Sequence, residues 1–130
     1  MSRYVTVAVT AANLDELFGA LRALGLEPQY QSGEQVMLDG TLECAGEPVD
    51  LRVAPGPFDT VEDFGFVVAD GGVALVCGDV DRRRLERGLV PALSAEVAQA
   101  RAVASAKASG AQVELVREAD GTRRIKITRG

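Results

Sequence analysis

The sequence predicts an α+β fold: a mostly antiparallel sheet with two main amphipathic helices packed on one face, in the order β-α-β-β-β-β-β-α-β-β. Three observations carry that expectation. The chain opens with an alternating apolar run that passes into helical spacing at Leu14. Its two most hydrophobic runs are joined by the turn signal Asp70-Gly71-Gly72, and it closes on two alternating runs about Asp120-Gly121. Residues 1–130 are read as a single domain, because no repeat, low-complexity tract or linker interrupts them.

Taken in order, Val5, Val7 and Val9 recur at period two, the mark of a half-buried strand. Leu14, Leu17, Phe18, Leu21 and Leu24 then recur at helical spacing. Asn13 is a favoured N-cap, Glu16 is placed to complete a capping box, and Gly25 supplies the stop. Leu26 to Gln31 reads as a short extended segment, which Pro28 confines to an edge or a strand start. Gln35 to Leu38 is extended after a turn at 32–34. Thr41 to Cys44 and Val49 to Val53 are expected to form a hairpin, with Val49, Leu51 and Val53 on one face. Ala54-Pro55-Gly56-Pro57 breaks regular structure, and residues 58–63 read as an acidic surface loop with an exposable Phe58. Phe64 to Ala69 and Val73 to Gly78 form the central hairpin, buried on both faces or nearly so.

Asp79 or Asp81 is placed to cap a long helix that Gly88 and Pro91 should break or kink. Helical spacing resumes through Leu93, Val97, Ala100 and Val103 and ends at Gly110. Residues 112–118 and 123–129 form the closing hairpin, Val113 and Leu115 facing Ile125 and Ile127 while Arg124, Lys126 and Thr128 stay in water. The expected core is Val5, Val7, Val9, Leu17, Leu21, Leu24, Val67, Leu75, Leu93, Val97, Ile125 and Ile127.

Apolar content of 47 % and charged content of 25 % suit a globular protein, and aromatics at 5 % without Trp leave the core to Val, Leu and Ala. No apolar run approaches the about 18 residues of a membrane span, and no signal peptide is evident, so a cytoplasmic location is the default. Histidine is absent, which removes the commonest general base and metal ligand. Cys44 and Cys77 are expected to be free and buried, and neither a metal nor another cofactor is expected. Gly71-Gly72 lacks the pattern of a phosphate loop.

Charge is unevenly spread. Residues 1–81 hold 3 basic against 14 acidic side chains, a balance of −11, and residues 82–130 hold 11 against 5, a balance of +6. Either the halves offset one another within the fold, or they present opposite patches for docking or head-to-tail assembly. The acidic pI of 4.7 and the lack of aromatics among the basic residues disfavour nucleic acid. Two stretches stand out as candidate protein-binding sites: Phe58, Asp59, Glu62 and Asp63 in the acidic loop, and Arg82, Arg83, Arg84 and Arg87 in the arginine run, able to grip carboxylates or phosphates.

The ends of the chain carry a further pattern: Met1-Ser2-Arg3-Tyr4-Val5-Thr6-Val7, Leu14-Asp15-Glu16-Leu17 and Ala20-Leu21-Arg22-Ala23-Leu24-Gly25, then Gly110, Val113, Glu118, Asp120 and Gly121. It resembles an uncharacterised plastid and cyanobacterial family, conserved hypothetical reading frame 35, and its bacterial relatives. The resemblance covers the chain up to Gly25 and from about residue 101 onward. It implies a small α+β domain without known catalytic residues, an oligomer or adaptor subunit encoded beside AAA-type ATPases. The expected function is therefore a non-enzymatic protein-binding or adaptor subunit, its partner an AAA-type ATPase or a second copy of itself. The alternative is a small-molecule-binding regulatory domain of ferredoxin-like or ACT-like type, and an enzyme built on Asp59, Glu62 and Asp63 is a third reading.

Overall fold

The period-two stretch at the start of the chain forms β1 (Tyr4–Val9), the edge of a four-stranded antiparallel sheet. The structure, a computed structural model, describes residues 4–40, 46–69, 71–119 and 123–128. After β1 come α1 (Leu14–Ala23), β2 (Val36–Met37), β3 (Pro48–Val49), β4 (Leu51–Val53), a 3-10 turn at Pro57–Asp59, β5 (Phe64–Ala69) and β6 (Gly72–Gly78). The chain continues through α2 (Arg82–Arg87), α3 (Leu89–Ala108), β7 (Gln112–Arg117) and β8 (Arg123–Thr128). The fold is α+β in the expected order, with the second helical region divided in two.

The main sheet runs β1-β6-β5-β4. Its centre is the pair with the most continuous apolar runs, which supply residues to clusters on both faces of the sheet while Val68 stays exposed. Alternation sends Phe64, Phe66, Val73, Leu75 and Cys77 toward the helices, where they meet Leu17 and Leu21 of α1 and Leu85, Leu89, Leu93 and Val97 of α2 and α3. Phe64 and Phe66 meet edge to face at 6.2 Å. The Val5, Val7 and Val9 side chains are half-buried against this core, as an edge strand requires. Cys77 is a free, fully buried thiol; Cys44 and the strand expected at 41–44 lie outside the described residues.

A smaller cluster covers the opposite face, where Leu38, Val49 and Val76 pack with Tyr4, Val36 and Val67. Val67, expected in the main core, belongs here because it lies on the reverse side of β5 from Phe66. The expectation that Val49, Leu51 and Val53 share a face is also corrected. β3 pairs with β2, not with a continuation of β4, and the chain bends at Asp50 between them. Asp50 donates its N–H to the Phe66 carbonyl at 2.8 Å, and its carboxylate accepts the Val68 N–H at 2.9 Å. The side chain thus stands in for the strand backbone that has turned away. Val49 crosses so close over β5 that a Cβ at Gly65 would sit 2.7 Å from its Cγ2 and 2.6 Å from the Leu51 carbonyl oxygen. Only glycine fits there.

Asn13 Oδ1 accepts the Glu16 N–H at 2.9 Å, as an N-cap should, while Glu16 reaches back one residue further than a capping box, to the Ala12 N–H. The helical region breaks at Gly88. Pro91 is the third residue of α3, where its missing N–H would have had no helical partner, so it starts the helix instead of kinking it. The apolar stripe of α3 is confined to its first half, with Ala106 the buried residue further on.

The closing hairpin pairs Val113 with Ile127 and Leu115 with Ile125. Its turn residues 120–122 lie outside the described residues. It rests on α3, anchored by an ion pair from Arg123 to the buried Glu96. Ile127 does not join the core: it is 51 % exposed, and Leu115 is 55 % exposed. A two-stranded unit beside a single helix cannot cover its whole apolar face. Arg101 of α3 forks onto Glu16 of α1 at 2.9 and 2.7 Å, a bond between the basic and acidic parts of the chain. No helix among the described residues is long and apolar enough to cross a membrane.

Candidate functional site

The acidic loop and the arginine run, separate in sequence, meet in space through one carboxylate. Asp81 occupies the N-cap position of α2 but makes no cap hydrogen bond there. Its fully buried side chain instead accepts the Val61 N–H at 3.0 Å and the Glu62 N–H at 2.9 Å, and Arg84 Nη1 lies 3.2 Å from it. Loop and helix are therefore one joint. The exposed Phe58 expected from sequence is corrected as well. The ring is half-buried and presses on Gly88, where a Cβ would lie 2.7 Å from Phe58 Cδ1. Phe58 and Asp59 both hold left-handed backbone, φ 58° and 60°, a strained conformation for non-glycine residues that this packing maintains.

The loop's carboxylates have different fates. Asp59 is exposed. Asp63 is buried and accepts three bonds, from the Asp39 N–H at 2.6 Å, the Gly40 N–H at 2.9 Å and Arg52 Nε at 2.7 Å. Glu62 is 4 % exposed, and its Oε2, packed against Gly78, has no hydrogen-bond partner among the described residues. Burial pushes the Glu62 carboxyl above the usual range, and the neighbouring Asp81 and Asp63 push it the same way. Burial, with Asp81 and Glu86 adding to it, pushes the Cys77 thiol up to about 12. Among the arginines, Arg82 is paired with Glu86, while Arg83 and Arg87 are exposed beside Asp79 on an open charged shelf.

A second arrangement had no signal in the sequence. Arg52, held by Asp63, also donates to Gln29 Oε1 at 2.6 Å and to Asp39 Oδ2 at 3.0 Å. The Gln29 and Arg52 backbones exchange both hydrogen bonds, at 2.7 and 2.8 Å, so the segment at 29–31 lies along the outer side of β4. Because Gln29 turns both its groups inward, Tyr30 turns its own outward. Among the described residues neither the N–H nor the C=O of Tyr30 has a partner. Its ring, on the helix side, meets Phe18 edge to face at 5.8 Å, and the residue is 61 % exposed.

Between α1 and the turn at 31–35 this leaves an open groove of about 620 Å³. Leu14, Phe18, Tyr30 and Leu51 supply its apolar surface. Its charged residues are Asp15, Glu34 and Asp50, all acidic. Asp50 is engaged with Val68 and Gln35, but Asp15 and Glu34 have no ion-pair partner among the described residues. No group of three or more His, Cys, Asp or Glu among the described residues is arranged to hold a metal ion.

No family model matches the chain, and neither the curated proteins nor the solved structures contain a match to it. Of the residues singled out from sequence, Phe58, Glu62 and Arg84, with Asp81's loop contacts, make up the joint, Asp63 instead holds Arg52 and the backbone at 39–40, and Asp59, Arg82, Arg83 and Arg87 stay on the surface. The groove depends on Gln29 meeting Arg52, a pairing that no local pattern encodes.

Proposed function

We propose that the protein is a non-enzymatic protein-binding or adaptor subunit, which holds an extended segment of another protein along the outer edge of its sheet. The observation that carries this reading is the Tyr30 backbone, without a partner among the described residues, beside an aromatic-walled groove. A strand edge with unpaired groups is a ready template for a further strand. The resemblance of the chain's ends suggests an AAA-type ATPase-associated assembly in the cytoplasm as the setting, with the ATPase as partner.

Co-purification from the native host tests this. A partner is expected to be retained by the native chain and lost with Tyr30→Asp, while the far-ultraviolet circular dichroism is unchanged. Retention by the variant, or a protein that is partnerless and monomeric at high concentration, refutes the reading. A small-molecule regulatory role is the second reading, favoured by the groove volume, which is within the range of ligand pockets. It requires a metabolite that raises the melting temperature, since a ligand of the native state must stabilise it.

A further inference from the structure

From the groove's chemistry we infer its occupant: an extended peptide segment carrying lysine or arginine, added as an antiparallel strand beside Tyr30 with its basic side chain on the Asp15–Glu34 rim. The inference rests on the protein-binding reading and narrows it to one class of partner.

Three features converge on this occupant. Alternation beside the Gln29–Arg52 pair turns the N–H and C=O of Tyr30 outward, where an incoming strand can exchange two hydrogen bonds with them. Pro28, lacking an N–H, limits pairing on that side of Gln29, so the docked strand is centred on Tyr30. Side chains of the added strand that share the face of the Tyr30 ring lie toward Phe18 and Leu14, which favour an aliphatic stem. Around those residues the charge is of one sign. Asp15 and Glu34 are exposed carboxylates with no ion-pair partner among the described residues, and Asp50 also lines the groove. A lysine or arginine matches both parts, laying its methylene stem on the apolar surface while its charged head reaches the rim. The same head can sit over the Tyr30 ring, where the face of an aromatic attracts a cation. An acidic side chain at the rim meets like charge, so the groove selects against it.

The test uses purified full-length protein and a fluorescently labelled hexapeptide of alternating valine and lysine, read by fluorescence anisotropy. The lysine peptide is expected to bind, and the same peptide with glutamate for lysine is not. N-methylation of the peptide backbone should weaken binding about three- to tenfold, the loss of one to two hydrogen bonds. Asp15→Asn and Glu34→Gln should each weaken it about two- to fivefold and reduce its dependence on salt. Both residues are exposed, so the variants are expected to fold as the native chain does, with thermal melting as the check. The inference is overturned if neither peptide binds, if the glutamate peptide binds equally, or if N-methylation or both substitutions leave affinity unchanged. Failure here with a Tyr30-dependent partner still recovered from the host removes the basic-peptide assignment alone. Loss of that partner as well removes the protein-binding reading.

Discussion

Two sets of carboxylates in this protein are equally acidic in sequence and opposite in use. Asp63 and Asp81 are buried and filled, each accepting two backbone N–H bonds and an arginine contact. Asp15 and Glu34 stand on the groove rim without ion-pair partners among the described residues. The difference teaches that charge density along a chain does not locate a binding surface. What matters is whether the fold has already supplied donors: the backbone at 39–40 turns its N–H groups on Asp63 and the backbone at 61–62 turns its own on Asp81, whereas no donor among the described residues is turned on the rim side chains.

Breaking the filled set should cost most. Arg52→Ala leaves Asp63 buried without its cation and is expected to destabilise the protein by about 3–5 kcal/mol, measured by urea unfolding. It should also loosen Gln29 and with it the groove wall. Asp81→Ala strips the acceptor from the Val61 and Glu62 N–H groups and should cost about 1–3 kcal/mol in the same experiment. Glu62 sharpens the contrast, being buried yet unfilled. Its folded-state pKa is raised, so its contribution is fully present below the unfolded value near 4.5 and is lost as pH rises through the folded one. Glu62→Gln should therefore flatten the decline in stability on the alkaline side of that value, compared by melting temperature across pH.

Glu16 should show the reverse dependence. The Arg101 fork, with the Ala12 N–H second, holds its carboxyl below the usual range. That stabilisation is present above 4.5 and lost as pH falls through the folded value, so Glu16→Gln should reduce the acid-side loss of stability. The rim residues come last. Asp15→Asn and Glu34→Gln should each change stability by no more than about 0.5 kcal/mol, as exposed side chains without partners do. A larger loss would place them in the filled set.

Much of the fold was legible because it is local. Asn13 and Gly25 bracket α1, and the apolar runs flanking residues 70–71 identify the sheet's centre. The helix break at Gly88 was legible as well, but the packing of Phe58 on Gly88, thirty residues away in sequence, was not. Alternation misled at Val49, because it assumes a strand that does not bend, and Asp50 permits the bend by replacing backbone with carboxylate. Ile127 looked like core because period two marks an apolar face without saying what will cover it. The candidate site was the least legible part. It is made where Gln29 meets Arg52, and Tyr30 acquires its open edge only from that long-range pairing.

Cys77 turns the central strand into its own reporter. Its thiol is fully buried and pushed up to about 12, so almost no thiolate exists near neutrality and a maleimide or disulfide reagent finds neither an accessible nor a nucleophilic sulfur. Labelling must wait for β6 to open. On a Cys44→Ser background, the rate at which the remaining thiol is captured then counts those openings directly, and it should speed up in Arg52→Ala only as far as the lock on β4 governs the middle of the sheet.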